Sequence, residues 1–146
     1  MAVREVAVAD HFDALMPMMR DNWAETGFGW ECSPSRERYV ALLEAGILLA
    51  LVATGRDDEV IGYCTAMVVA HPFNLAVIYC ASDALYVKPE YRKGIVPGRL
   101  MKATERRAKA RGARMISWHT RAGTALADTM IRHGYRPGDM VVHKEL

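Results

Sequence analysis

The chain has 146 residues, 51% apolar and 25% charged, a composition of one ordinary globular domain over residues 1–146 that excludes intrinsic disorder. No apolar run approaches the roughly 18 residues of a helical membrane span, which excludes that class too. Charge is divided along the chain: Met1–Phe73 holds five Lys/Arg against eleven Asp/Glu, and Asn74–Leu146 holds fourteen against six.

These counts make the halves −6 and +8. A basic half predicts an anionic partner and an acidic half a cationic one, unless both are merely solvated faces. Met1–Asp10 carries Arg4, Glu5 and Asp10 without the basic start and apolar core of a secretory leader. Cys32, Cys64 and Cys80 are widely spaced in or beside apolar stretches, so they read as buried small hydrophobes in a reducing compartment. The expected location is the cytoplasm.

A first strand fits Val3–Val8. Asp10 then suits the cap of a helix to about Asn22, with Phe12, Leu15, Met16 and Met19 on one face and Pro17 predicting a kink or split. Trp23–Ser33 is a glycine-punctuated aromatic loop. A second helix runs to about Ala45, with Ser33 as N-cap, Pro34 at the first helical position and Gly46 just past the end. Ile47–Thr54 and Val60–Ala70 read as an antiparallel hairpin across the charged turn Gly55–Glu59, and Ala76–Val87 as a further strand. After the loop Lys88–Pro97 come a helix over Pro97–Arg111, a strand at Met115–His119, a helix at Thr124–His133 and a last strand at Met140–Lys144. The fold class is α/β: a mixed, mostly antiparallel sheet with flanking helices and one β-α-β crossover.

That crossover carries the chemistry. If the strands on either side of the helix are parallel, a right-handed connection points the helix N-terminus into the crevice past the first strand's carboxyl end. Free N–H groups and the helix dipole make such an end an anion site. Arg92, Lys93 and Arg99 add charge there, and Gly94 and Gly98 allow close backbone approach. The residues fit a pyrophosphate-bearing ligand, and they equally fit a structural turn with a solvated basic rim.

The run LYVKPEYRKGIVPGRLMKATERRAKARG resembles the acetyl-CoA-binding core of the GNAT superfamily of N-acyltransferases. Leu85, Val87, Pro89, Glu90, Tyr91, Arg92, Leu100, Glu105, Ala108 and Gly112 follow that family's order, and Gly134-Tyr135 is similar to its Gly-Phe/Tyr pair. His71-Pro72 followed by SDALYV is similar to bacterial and phage-borne members. The resemblance implies a GNAT-like fold, acetyl-CoA as co-substrate, and direct acetyl transfer to a primary amine in a ternary complex. It also implies that backbone groups of Leu85, Tyr86 and Val87 face the thioester. The loop of Arg92, Lys93, Gly94, Ile95, Val96, Pro97, Gly98 and Arg99 would then take the phosphates.

Two positions depart from the family. Counting from Arg92, Ile95 and Pro97 occupy the loop's glycine positions, with Gly94 and Gly98 each displaced by one residue. Proline also removes an N–H, so Arg92, Lys93 and Arg99 are expected to supply more of the phosphate binding. Met130 stands where the family often has the tyrosine that protonates the leaving thiolate.

Asp83 alternates with Leu85 and Val87, which places a carboxylate on an apolar face unless it serves a wet cleft or pairs with an arginine. It is a candidate base or amine anchor, with His119 at the neighbouring strand's end as the second catalytic candidate. His71 fits a turn, and Tyr79 and Tyr135 fit core aromatics with bonded hydroxyls. No close His/Cys spacing suggests a metal. Trp23, Phe28 and Trp30, with Glu25, Glu31 and Glu37, fit either an ammonium-binding acceptor site or closure of the core.

Two rivals remain. One is a catalytically silent CoA-binding protein, suggested by the altered loop and Met130. The other is a basic nucleic-acid-binding module built on Arg106, Arg107, Lys109, Arg111 and Arg114, disfavoured because these residues fall on the outer side of a helix. The expected partner is an amine, small-molecule or protein, with a second copy of the chain a further candidate and neither nucleic acid nor membrane.

Overall fold

The computed structural model describes all 146 residues. Its elements are β1 (Ala2–Glu5), α1 (Phe12–Ala24), α2 (Arg36–Glu44), β2 (Leu48–Thr54), β3 (Val60–His71), β4 (Asn74–Val87), α3 (Val96–Ala110), β5 (Ala113–Ser117) and α4 (Ala125–Arg132). The strands lie in sequence order in one sheet, antiparallel from β1 to β4, with β5 parallel to β4. Helix α3 is the crossover between the parallel pair.

Strand β2 is buried along its whole length because helices cover both faces of the sheet. Leu49, Leu51 and Ala53 join Ile61, Cys64, Val87 and Leu100 in a core beneath α3. Leu48, Ala50 and Val52 face the other way, against Phe12, Leu15, Met18 and Met19 of α1. Gly62 lets α3 come this close. A Cβ there would stand 2.9 Å from the Tyr86 carbonyl oxygen and 3.2 Å from Leu100 Cδ1.

Several element ends differ from the sequence reading for local reasons. Strand β1 stops at Glu5, and Val8–His11 forms a 3₁₀ turn before α1, so Asp10 caps nothing. Pro17 does not split α1: it lies on the exposed side, where water can serve the Asp13 carbonyl that loses its helical donor. The cap of α2 is Ser35 rather than Ser33; its hydroxyl accepts from the Arg38 N–H at 3.2 Å. Arg36, the first residue of α2, is fixed by the Ala9 carbonyl at 2.7 Å and by Asp13 at 3.0 Å. Gly46, Gly112 and Gly134 end their helices at positive φ, where a side chain would be strained.

The last strand expected at Met140–Lys144 does not form. Those residues make no ladder, leaving β5 at the sheet edge. The tail instead brings His143 edge-on to Phe28, with ring centroids 5.5 Å apart.

Gly62→Ala should therefore strain the β3–β4 pair at Tyr86–Val87 and crowd Leu100 of α3, destabilising the protein by about 1–3 kcal/mol, the usual cost of overpacking. A lower urea midpoint at unchanged slope is the expected readout.

Candidate active site

The site begins with a register change. Thr65 pairs with Ala84 and Ala66 with Ser82, so Asp83 is an extra residue in β4 with no partner on β3. Such a bulge resets the alternation of side chains. Before it, Cys80 packs under α3; beyond it, Leu85 and Val87 do so, while Ala84 and Tyr86 face α1.

The bulge corrects the expected place of Asp83, which does not share a face with Leu85 and Val87. Its exposed carboxylate turns to the α1–α2 side, where it accepts from the Thr65 hydroxyl at 3.1 Å. No arginine or lysine pairs with it. Burial pushes the Tyr39 and Tyr63 phenols up, and the negative charge of Asp83 adds to both shifts.

The same bulge parts the parallel strands. Pairing between β4 and β5 ends at Ala81–Ser117, and from Ser82 to Val87 β4 has no strand neighbour on that side. His119 closes the apex of the resulting crevice. Its N–H donates to the Ser82 hydroxyl at 2.8 Å, and its ring Nδ1 lies 2.6 Å from the Ser82 carbonyl oxygen. A carbonyl can only accept, so Nδ1 carries the proton, and a neutral ring keeps its lone pair on Nε2. Asp83 and His119 accordingly flank one residue, Ser82.

At the far end of the crevice lies the loop before α3. Arg92 and Gly94 donate backwards to the Pro89 and Tyr91 carbonyls, both at 3.3 Å, and Arg99 starts the helical ladder at Ile95. The backbone N–H groups of Lys93, Ile95, Val96 and Gly98 have no partner, and no side chain caps the helix. These donors, with the unpaired cations of Lys93 and Arg99, form an anion site at the start of a helix. Pro97 costs it one donor and leaves the others open.

Arg92 is less free than the sequence suggests. Its Nε donates to the Val87 carbonyl at 2.7 Å, its Nη2 to Glu25, and its guanidinium lies 5.0 Å over the Tyr86 ring. Arg121, from the loop after β5, holds the other Glu25 oxygen at 3.1 Å. Partial burial works to raise the Glu25 pKa, but the two arginines outweigh it and hold the carboxyl below its ordinary value. Sequence reading missed Thr65, Ser82 and Arg121, and gave Glu25 no arginine partner. Nothing local to any of these residues signals its partner.

The aromatic loop does not close the core. Phe28 and Trp30 stack 5.0 Å apart and 10° from parallel, and Trp30 is 53% exposed. His71 serves its turn, its Nδ1 accepting from the Phe73 N–H at 3.2 Å. Met130 is buried, and the Tyr135 hydroxyl donates to Glu105, which also accepts from Trp118 at 3.3 Å. Desolvation, then the bond to Glu105, pushes the Tyr135 phenol up to about 12.

The family model for the GNAT acetyltransferases matches residues 15–135. The chain belongs to that family. Its GNAT fold superposes on an aminoglycoside acetyltransferase from an uncultured soil metagenomic sample, with a TM-score of 0.78, 18% identity, and coverage of 99% of this chain and 96% of that one. A second soil-metagenome aminoglycoside acetyltransferase, in complex with sisomicin, gives 0.76 at 16% identity, covering 99% and 94%. The ribosomal-protein-alanine N-acetyltransferase of Brucella melitensis biovar Abortus gives 0.74 at 12% identity, covering 100% and 99%. No curated protein matches the sequence. At these identities the neighbours speak for the fold alone.

Because the Tyr135 hydroxyl is committed to Glu105, Tyr135→Phe should cost roughly 1–2 kcal/mol of stability, a charge-assisted bond discounted for partial exposure. Acetyl transfer should be unchanged. A denaturation midpoint and a turnover measurement on the same preparation check both halves.

Proposed function

We propose that this protein transfers an acetyl group from acetyl-CoA to a primary amine by direct attack in a ternary complex, as a cytoplasmic enzyme. One observation carries the cofactor half: the four unpartnered N–H groups between Lys93 and Gly98. The glycines there support it. Neither Gly94 nor Gly98 has a positive φ, and a Cβ on Gly98 would meet nothing within 4 Å. Gly98 lies in the first turn of α3, where alanine is the better helix former. The fold has no use for that glycine, whereas a phosphate pressed against the helix start does.

In this reading the thioester lies between the parted strands, its carbonyl polarised by backbone groups of β4 between Leu85 and Val87. An alkylammonium of pKa about 10 must lose a proton before attack. Asp83 anchors that ammonium on the α1–α2 side, and Asp83 or Nε2 of His119 takes the proton. The amine nitrogen bonds to the acetyl carbon as the C–S bond breaks, CoA departs as a thiolate, and the nitrogen's second proton passes to that thiolate or to water, leaving the neutral amide. A thiol of pKa roughly 8–9 is a tolerable anion at neutral pH, so a methionine at position 130 removes the most dispensable participant. The carboxylates and stacked aromatic rings of the α1–α2 side suit a cationic acceptor, small-molecule or protein.

Thiol release with a panel of amines, run beside a titration of CoA alone, tests the proposal. Release that depends on amine supports it. CoA binding without turnover favours the silent binding protein that Met130 suggests, and absence of both overturns the reading.

Two variants sharpen the test. Gly98→Ala should raise the melting temperature through helix propensity while weakening CoA binding, opposite signs that a purely structural glycine cannot give. Asp83→Asn should leave the fold and CoA affinity intact and lower kcat about 10²-fold, the low end of general-base effects. That loss should shrink as pH nears the amine's own pKa, where neutral amine needs no base. Equal kcat with parallel pH profiles would move the role to His119.

A further inference from the structure

Glu25 is the first residue beyond α1, and its two oxygens are taken by guanidinium groups from two different loops. Arg92 comes from the loop leaving β4, and Arg121 from the loop leaving β5. Those are the two strands that part at Ala81–Ser117, so one carboxylate ties together both lips of the crevice. The last turn of α1 reinforces the tie. Arg121 also reaches the Asn22 carbonyl and side-chain oxygens at 3.3 and 3.4 Å, and the Tyr86 hydroxyl donates to Asp21 at 3.3 Å beneath Arg92.

The electrostatics make this tie exchangeable. Its side chains are more than a third exposed, so solvent and other ions can compete for them. Arg92 stands immediately before the open N–H groups that face an incoming phosphate. A guanidinium bonds a phosphate as readily as a carboxylate, and a phosphate brings more charge. If Arg92 turns to the phosphate, Glu25 keeps only Arg121 and one of its oxygens is released toward the acceptor side.

We propose that Glu25 is a positioning residue that couples the two half-sites: it competes with cofactor phosphates for Arg92, and its released carboxylate then receives a cationic acceptor. Cofactor and cationic acceptor therefore strengthen each other's binding. This rests on the reading of the loop as the CoA phosphate site.

Calorimetric titration of CoA into wild type, Glu25→Gln, Arg92→Ala and the double variant tests it. Removing the competitor should tighten CoA roughly two- to fivefold, the worth of a half-exposed ion pair. The double variant should bind like Arg92→Ala alone, because the gain acts through that guanidinium. Glu25→Asp, which keeps a carboxylate, should move back toward wild type, and circular dichroism checks that each variant folds. Spermine serves as the cationic probe: saturating CoA should tighten its binding about fivefold or more in wild type and leave Glu25→Gln unchanged.

A folded Glu25→Gln that binds CoA no better than wild type overturns the coupling, as does spermine binding indifferent to CoA. Wild type that binds no CoA overturns instead the underlying cofactor reading, and the coupling with it.

Discussion

A single surplus residue in β4 sets the geometry on which everything else depends. With Asp83 unpaired between Ser82 and Ala84, the sheet exchanges its faces in mid-strand and the β4–β5 ladder ends. A bulge bends its strand and increases the local twist, so the parallel neighbour cannot follow beyond it. Backbone groups that a regular sheet would consume are thereby left facing a crevice. His119 spends its own N–H and Nδ1 on Ser82, which fixes the apex and leaves Nε2 available. The crevice opens toward the start of α3 at one end and toward the α1–α2 face, where Asp83 points, on the other.

The charge asymmetry of the chain finds its explanation inside the molecule. Five of the six ion pairs join an acid of the first half to a base of the second; only Arg36–Asp13 lies within one half. Glu5 holds Arg107 and Arg111, fastening β1 to α3, and Arg111 also donates to the Leu48 carbonyl at 2.7 Å. Two of the basic residues of α3 and its end are thus a fastening to the sheet, while Lys102, Arg106 and Lys109 stay exposed and unpaired. Among the charges left outside these pairs, Lys93 and Arg99 stand beside the open N–H groups and Asp83 on the opposite side.

Much of this was legible in the residues because local rules govern it. Glycines at 46, 112 and 134 marked three helix ends, and the spacing of the hairpin and the crossover marked one antiparallel and one parallel pair of the sheet. The motif around Tyr91 marked the loop whose backbone N–H groups the structure leaves open. What was not legible depends on pairing across distance. Asp83 obeys strict alternation with Leu85 and Val87 in sequence, and only its register against β3 shows that it turns the other way. Arg92 reads as a free cation until a carboxylate 67 residues earlier is found against it. The apolar run at Met140–Lys144 has strand composition, yet a strand exists only with a partner, and here His143 meets Phe28 instead. Ser33 and Ser35 are both suitable caps by type, and the anchoring of Arg36 to Ala9 and Asp13 selects the second.

The central claim is that the bulge opens β4 from β5 in order to admit the thioester. A crystal structure with CoA and an acceptor amine tests it most directly. The account predicts the CoA sulfur between the strands beside Ser82–Leu85, the pyrophosphate on the N–H groups of Lys93 to Gly98, and the amine on the Asp83 side. CoA seated outside the crevice, or an amine approaching from the α3 side, would contradict it.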